Sequence, residues 1–179
     1  MKKIIPFSFF LIISLILVSF FYLLNIDRNP IEVPSFFLNK ESPQFESFSL
    51  FENEKKIISS QEIGEKITLV NFFASWCKPC SDEHPYLLNL SKNSDIKIIG
   101  INYKDSEKKA IKWLKKRGNP YNITAVDKNG RISIDWGVYG IPETFIINSK
   151  GIIKYKLVGP ISKDNYQKIV SIIREIKDD

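Results

Sequence analysis

Residues 67–80 read Ile-Thr-Leu-Val-Asn-Phe-Phe-Ala-Ser-Trp-Cys-Lys-Pro-Cys, an apolar run followed at once by the only two cysteines of the chain. The run at 67–73 is too apolar for a half-exposed strand and predicts a strand buried on both faces. If a helix begins near Cys77 or Lys78, the missing amide proton of Pro79 costs nothing in its first turn. The stretch therefore predicts a buried strand, a short turn and a helix that begins on the two cysteines.

Two cysteines at this spacing are better suited to redox chemistry than to holding a fold or a metal. A disulfide that closes four residues removes only roughly 2 kcal/mol of unfolded-chain entropy, against about 5 for a hundred-residue loop. Structural zinc normally needs four ligands, and His84 is the only histidine of the chain. Ser81 stands where covalent haem attachment would need a histidine. We therefore predict a redox-active disulfide and no metal or other cofactor.

The spacing also assigns a different role to each sulfur. Cys77 falls at the predicted N-terminus of the helix, where unpaired N–H groups and the helix dipole favour thiolate over thiol. Cys80 follows closely enough to attack a mixed disulfide formed at Cys77. We therefore predict that Cys77 is the attacking sulfur and Cys80 the resolving one, in the strand, turn and helix context of a thioredoxin-type site.

Length and composition predict one globular domain behind a membrane segment. The chain has 179 residues, of which 44% are hydrophobic and 13% aromatic, enough to bury one core. Residues 4–24 are uncharged and match the roughly 20 residues that a helix needs to cross a bilayer. Because this segment lacks a small-x-small cleavage site, we predict an uncleaved signal anchor at 1–24, with removal as a signal peptide as the alternative. A flexible linker at 25–42 and a domain at 43–179 are predicted to follow.

The short N-terminus indicates the topology, and the charge distribution limits the partners. Lys2 and Lys3 precede the apolar segment, and a short cytoplasmic N-terminus places the C-terminal domain in an extracytoplasmic space, which is the periplasm in a bacterium. The formal net charge is +6, and residues 104–117 hold seven basic and two acidic side chains. That stretch predicts a solvated helix face or a docking patch for an anionic partner. Nucleic acid binding would need a larger basic surface interleaved with aromatic residues, so we predict none.

The rest of the chain predicts a mixed sheet between helices. A buried strand at 96–101 follows the cysteine helix, so the two strands form a right-handed βαβ unit with parallel pairing. The turn at 149–151 has the length of a hairpin turn. Further predicted elements are an edge hairpin at 45–58, helices at 106–117 and 163–176, and strands at 123–126, 144–148 and 152–158.

With these elements placed, the chain resembles the thioredoxin superfamily, and specifically the membrane-anchored CcmG/DsbE thiol:disulfide interchange proteins of cytochrome c maturation. The match spans residues 69–158, and the most specific motif reads Gly-Val-Tyr-Gly-Ile-Pro-Glu-Thr-Phe at 137–145. The resemblance implies a thioredoxin-like α/β fold, with a mixed central sheet flanked by helices and an N-terminal transmembrane helix. The other matching motifs lie at 70–80, 83–84, 100–105 and 118–121.

The resemblance implies where a substrate would lie. It implies a cis peptide before Pro142, which would place the Ile141 backbone beside the sulfurs to pair with a substrate strand; an ordinary trans-proline is the alternative. Trp76 is expected to shield the site and to contact the substrate. Trp113 and Trp136 are expected to pack in the core. The predicted substrate-binding residues are therefore Trp76, Ile141 and Pro142.

The resemblance also implies a proton carrier. Thioredoxins commonly bury an aspartate in the strand before the cysteines, where this chain has Asn71. The family pattern points to Glu83, about one helical turn after Cys80, and to Glu143 beside the cis-proline loop. A carboxyl buried near sulfur would have a raised pKa and could relay protons to or from Cys80. The alternative is a solvent-facing carboxylate. His84 is expected to be structural or on the surface.

The resemblance implies a membrane-anchored periplasmic oxidoreductase, single-pass in the bacterial inner membrane. Such a protein would reduce a disulfide on apocytochrome c or on a haem-ligation partner, and a membrane thiol-transfer protein would supply the electrons. One alternative is a thioredoxin-fold peroxidase, which needs a Thr and an Arg that activate its cysteine; neither is near Cys77 in sequence. The other is a non-catalytic module that holds unfolded apocytochrome in the groove around Pro142.

Overall fold

A computed structural model of the protein describes residues 7–25, 37–51 and 57–178, and the chain divides into two compact units at residues 30 and 31. In the first unit, helix α1 (Phe7–Asn25) carries exposed apolar side chains. Residues 1–6 of the predicted anchor lie outside the described residues. Within the described part of the chain, none of the helices combines the length and the apolar character needed to cross a membrane.

The second unit holds a separate hairpin and a central sheet with helices. Its elements are β1 (Glu46–Phe48), β2 (Ile57–Ser59), β3 (Ile67–Phe73), α2 (Lys78–Leu90), β4 (Ile96–Tyr103), α3 (Glu107–Arg117), β5 (Ile123–Asp127), α4 (Arg131–Asp135), β6 (Glu143–Ile147), β7 (Ile153–Val158) and α5 (Lys163–Asp178). Strands β1 and β2 pair antiparallel, as predicted for the edge hairpin. Among these elements, only helix α4 was not predicted from the sequence.

The central sheet is mixed, as predicted. Its five strands run in the order β5-β4-β3-β6-β7. Strand β3 pairs parallel with β4, and β4 pairs parallel with β5, which confirms the predicted βαβ unit. Strand β6 pairs antiparallel with both β3 and β7. This arrangement places β3, which leads to the cysteines, at the centre of the sheet.

Burial on both faces explains why β3 is so apolar. All seven of its residues are buried, and successive side chains point to opposite faces. On the face towards α2, Leu69 and Phe73 join one core cluster. On the other face, Val70 and Phe72 join a second cluster that contains Trp136. The sheet therefore fixes which side chains can reach the cysteines.

The end of the predicted linker lies against the sheet. The amide of Asn39 donates to the Ile153 carbonyl at 2.8 Å, and the amide of Ile153 donates to the Lys40 carbonyl at 2.9 Å. Residues 39–42 therefore pair with the start of β7 and the turn before it, and they belong to the second unit. The domain start at 43 stays a prediction. Residues 26–36 of the predicted linker lie outside the described residues.

Candidate active site

Cys77 and Cys80 are joined in a disulfide at the N-terminus of α2, as predicted. Cys77 is the N-cap residue, with an extended backbone, and the Cys80 amide donates to its Sγ at 3.1 Å. Both cysteines are buried, with Cys77 4% and Cys80 1% exposed, so Cys77 is the more accessible. A sulfur in this position is stabilised as a thiolate by the helix dipole and by the amide. The geometry thus fits an attacking Cys77 and a resolving Cys80.

The loop before β6 runs beside this sulfur. The Ile141–Pro142 peptide bond is cis, as predicted. The Ile141 carbonyl oxygen lies 3.7 Å from Cys77 Sγ, and the Pro142 carbonyl accepts a hydrogen bond from the Gly159 amide at 3.0 Å. The structure therefore places main-chain groups of this loop next to the reactive sulfur.

Glu83 is fully buried one helical turn after Cys80. Its two carboxyl oxygens accept hydrogen bonds from Asn71 Nδ2 at 2.9 Å and from the Ile161 amide at 3.0 Å. Burial raises the pKa of Glu83 from 4.5 to about 7, although both hydrogen bonds act to lower it. Near neutral pH the side chain is therefore present in both protonation states, which suits a group that accepts and returns a proton.

Asn71 connects Glu83 to a wider polar network that the sequence analysis missed. Its Oδ1 accepts a hydrogen bond from the Tyr121 hydroxyl at 2.8 Å, and its Nδ2 also donates to Thr144 Oγ1 at 3.0 Å. Burial raises the pKa of Tyr121 well above 10, so the hydroxyl remains a proton donor. Its ring stacks on Phe73. The amide of Asn71 is thus held by three partners.

The structure does not bring Glu143 to the sulfurs, which corrects the prediction that it relays protons to Cys80. Glu143 pairs with Phe72 across the sheet, so its side chain points away from the face that carries Asn71 and Glu83. It is buried, and its Oε2 lies 2.9 Å from Lys156 Nζ. Its Oε1 accepts hydrogen bonds from the backbone amides of Tyr139 and Gly140, in the loop before Pro142. Glu143 is therefore a structural anion.

Comparison with known proteins places the chain in a family. The Redoxin family model matches residues 39–170. The chain is 44% identical over 133 residues to the thiol:disulfide interchange protein CycY of Rhizobium leguminosarum bv. viciae, covering 74% of this chain and 71% of that protein. It is 38% identical over 160 residues to DsbE of Allochromatium vinosum, covering 89% and 85%. The chain belongs to the DsbE family.

Structural comparison agrees with this assignment at the level of the fold. The crystal structure of a protein from Chlorobium tepidum, described as a thiol:disulfide interchange protein DsbE, superposes on this chain with a TM-score of 0.70. The two sequences are 20% identical, and the match covers 79% of this chain and 99% of that one. As a DsbE-type protein with a Cys77–Cys80 disulfide, this protein is a thiol:disulfide oxidoreductase. That the protein needs no metal and no cofactor besides its disulfide stays a prediction.

Aromatic residues of this DsbE protein fall into two groups. Trp76 is 59% exposed next to Cys77, and its Nε1 donates to the Lys104 carbonyl at 3.2 Å, so it is accessible to a substrate. Trp136 is fully buried, which confirms its packing role. Trp113 likewise packs in the core, where it stacks on Phe73. The exposed aromatic surface at the site thus includes Trp76.

His84 is structural, in line with its predicted role. It is buried, its Nε2 lies 3.0 Å from the Gly118 carbonyl oxygen, and its ring packs edge-on against Trp113. Burial lowers the pKa of His84 below its usual 6.5. The histidine that follows Glu83 in the sequence is therefore an uncharged packing residue near neutral pH.

Proposed function

We propose that this DsbE-type oxidoreductase reduces a disulfide of apocytochrome c, or of a haem-ligation partner, during cytochrome c biogenesis. The observation that carries the proposal is the position of Cys77 Sγ, which caps α2 and lies 3.7 Å from the Ile141 carbonyl of the cis-proline loop. A sulfur at a helix N-terminus beside a partly exposed loop is suited to attack a disulfide within an extended polypeptide. The motif resemblance to the CcmG/DsbE proteins supports the substrate class.

In the proposed reaction the reduced protein passes two electrons to the substrate. The Cys77 thiolate attacks one sulfur of the substrate disulfide, forms a mixed disulfide and releases the first substrate thiolate. Cys80, after loss of its proton, then attacks Cys77 Sγ. This step releases the second substrate thiolate and leaves the Cys77–Cys80 disulfide. A membrane thiol-transfer protein resets the oxidised enzyme by the same exchange in reverse, with its own dithiol as the electron source.

Glu83 is proposed to serve the second step. It lies one helical turn from Cys80, and its pKa of about 7 allows it to accept a proton from a thiol and return it. Cys77 needs less help because the helix terminus already favours its thiolate. Trp76, Ile141 and Pro142 are proposed to contact the substrate, since all three adjoin Cys77 or the loop beside it.

We further propose that the domain is tethered to the periplasmic face of the inner membrane. Support comes from the sequence, in which residues 4–24 carry no charge, and from helix α1, whose side chains from Phe9 to Tyr22 are largely apolar and exposed. A tether would keep the disulfide near membrane-bound partners. It would also place the protein in a compartment where thiol–disulfide exchange has substrates.

A trapping experiment tests the proposed function. Cys80→Ser retains the attacking sulfur and removes the resolving one, so mixed disulfides through Cys77 accumulate in cells and can be identified by mass spectrometry. We expect an apocytochrome c or a haem-ligation protein among the trapped partners, and insulin reduction by the wild-type protein in vitro. A trapped set without either class, or equal trapping by Cys77→Ser, would contradict the proposal. Absence of insulin reduction would instead favour a non-catalytic binding module.

A further inference from the structure

A buried lysine lies beneath the loop that passes the disulfide. The ammonium group of Lys156, on β7, donates to the Gly137 carbonyl at 2.7 Å and lies 2.9 Å from Glu143 Oε2. The side chains of Lys156 and Glu143 are only 4% and 1% exposed. Glu143 Oε1 in turn accepts hydrogen bonds from the amides of Tyr139 at 2.9 Å and Gly140 at 3.3 Å. One ion pair thus holds the backbone of Gly137, Tyr139 and Gly140 in the loop at 137–142.

The same ammonium group also supports the aromatic side chain of the loop. Lys156 Nζ lies 4.6 Å from the centre of the Tyr139 ring, within the range of a cation–π contact. Tyr139 is 79% exposed, so one face of its ring is open to a binding partner. Two residues further on, the Ile141 carbonyl lies 3.7 Å from Cys77 Sγ. The loop that Lys156 contacts at Gly137 and Tyr139 therefore also contacts the reactive sulfur, at Ile141.

The chemistry of this pair indicates a positional role. Burying an ammonium and a carboxylate is costly, and a buried ion pair is a weak source of net stability even when it is well paired. This pair instead satisfies a carbonyl and two amides of one irregular segment. A segment held in one conformation loses less entropy when a peptide pairs with it. The ion pair therefore favours peptide binding more than it stabilises the fold.

We propose that Lys156 is a positioning residue for polypeptide substrates, which it serves by fixing the 137–142 loop beside Cys77 in a peptide-binding conformation. The inference deepens the proposed function and rests on it, because it assumes that substrates bind as polypeptides along this loop. Lys156 itself touches neither the sulfurs nor the reacting atoms. Its loss is therefore expected to raise KM for a peptide substrate while leaving kcat largely unchanged.

The test compares kcat and KM for reduction of a disulfide-containing peptide. We expect Lys156→Met to raise KM about tenfold or more with kcat within about twofold, since a loop that is no longer held in one conformation loses more entropy when a peptide pairs with it. Lys156→Arg, which keeps the charge and the donors, should recover most of the loss. Lys154→Met is the matched control, because it removes a half-buried lysine from the same strand two residues away. Equal KM values for Lys156→Met and wild type, or equal effects of the two Met variants, would overturn the proposal.

A second variant keeps the test decisive if Lys156→Met does not fold. In Lys156→Met/Glu143→Gln both charges are absent, so neither is left buried and unpaired. This double variant should also show a raised KM, and a wild-type KM would overturn the proposal. If the wild-type protein reduces no peptide disulfide, the proposed function fails instead. Hydrogen exchange at the Tyr139 and Gly140 amides then still tests whether Lys156 fixes the loop. Unchanged protection of these amides in the double variant would refute that role.

Discussion

The buried carboxyl of Glu83 makes stability depend on pH in a way that one substitution should remove. The pKa of Glu83 is raised from 4.5 to about 7 in the folded protein by burial. Between these two pH values the folded state holds a proton that the unfolded state has released. The contribution of Glu83 to the free energy of unfolding should therefore be full below about pH 4.5 and be lost as pH rises through about pH 7. The rise in pKa corresponds to about 3 kcal/mol of unfolding free energy.

Glu83→Gln removes this titration while keeping the size of the side chain. Urea unfolding of the oxidised wild type and variant at about pH 4, 6 and 8.5 gives the free energy of unfolding at each pH. From the lowest pH to the highest, the wild type should lose about 3 kcal/mol more than the variant, because contributions from other carboxylates cancel in the comparison. Glu46→Gln, at an exposed position on β1, should follow the wild type. Parallel pH profiles for wild type and Glu83→Gln would refute the reasoning.

Other predictions concern the network, the packing, the chemistry and the anchor. Tyr121→Phe leaves Asn71 Oδ1 without its buried donor and should lower the unfolding free energy by about 1–3 kcal/mol in urea titrations. Gly100→Ala places a Cβ 2.8 Å from the Tyr121 ring, and overpacking of this kind should cost about 1–3 kcal/mol. Stopped-flow exchange should be slowed about ten- to a hundredfold by Glu83→Gln. Intact mass of the membrane fraction should show residues 1–24 still attached; a soluble protein that begins near Asn25 would contradict the anchor.

Elements that have a distinct local sequence pattern could be predicted from the sequence. The apolar run at 67–73 matches β3 residue for residue, because a central strand buried on both faces needs no polar alternation. The start of α2 follows from the proline and the capping cysteine. Helix α4 was missed because it has only five residues, too few for a helical period to show.

Only the active-site residues that lie within a recognisable sequence motif could be predicted. Cys77 and the cis-proline lie in recognisable motifs, whereas the partners of Glu83 depend on how distant segments meet. Tyr121 reaches Asn71 from 50 positions away in sequence, and its hydroxyl leaves no local pattern. The resemblance implies a proton-transfer role for Glu143, which adjoins the loop in sequence. The alternation of side chains along β6 instead turns it to the opposite face, where Lys156 neutralises it.

The hydrogen bond from the Ile161 amide to Glu83 gives an NMR reporter of the active site. This amide lies between β7 and α5, far along the chain from the cysteines, yet it donates directly to Glu83 Oε2 at 3.0 Å. Loss of the Glu83 proton strengthens the acceptor and should shift the Ile161 amide resonance downfield, with a midpoint near pH 7. Tracking this single resonance in the oxidised and reduced proteins would show how the redox state of the sulfurs changes the proton affinity of their neighbour.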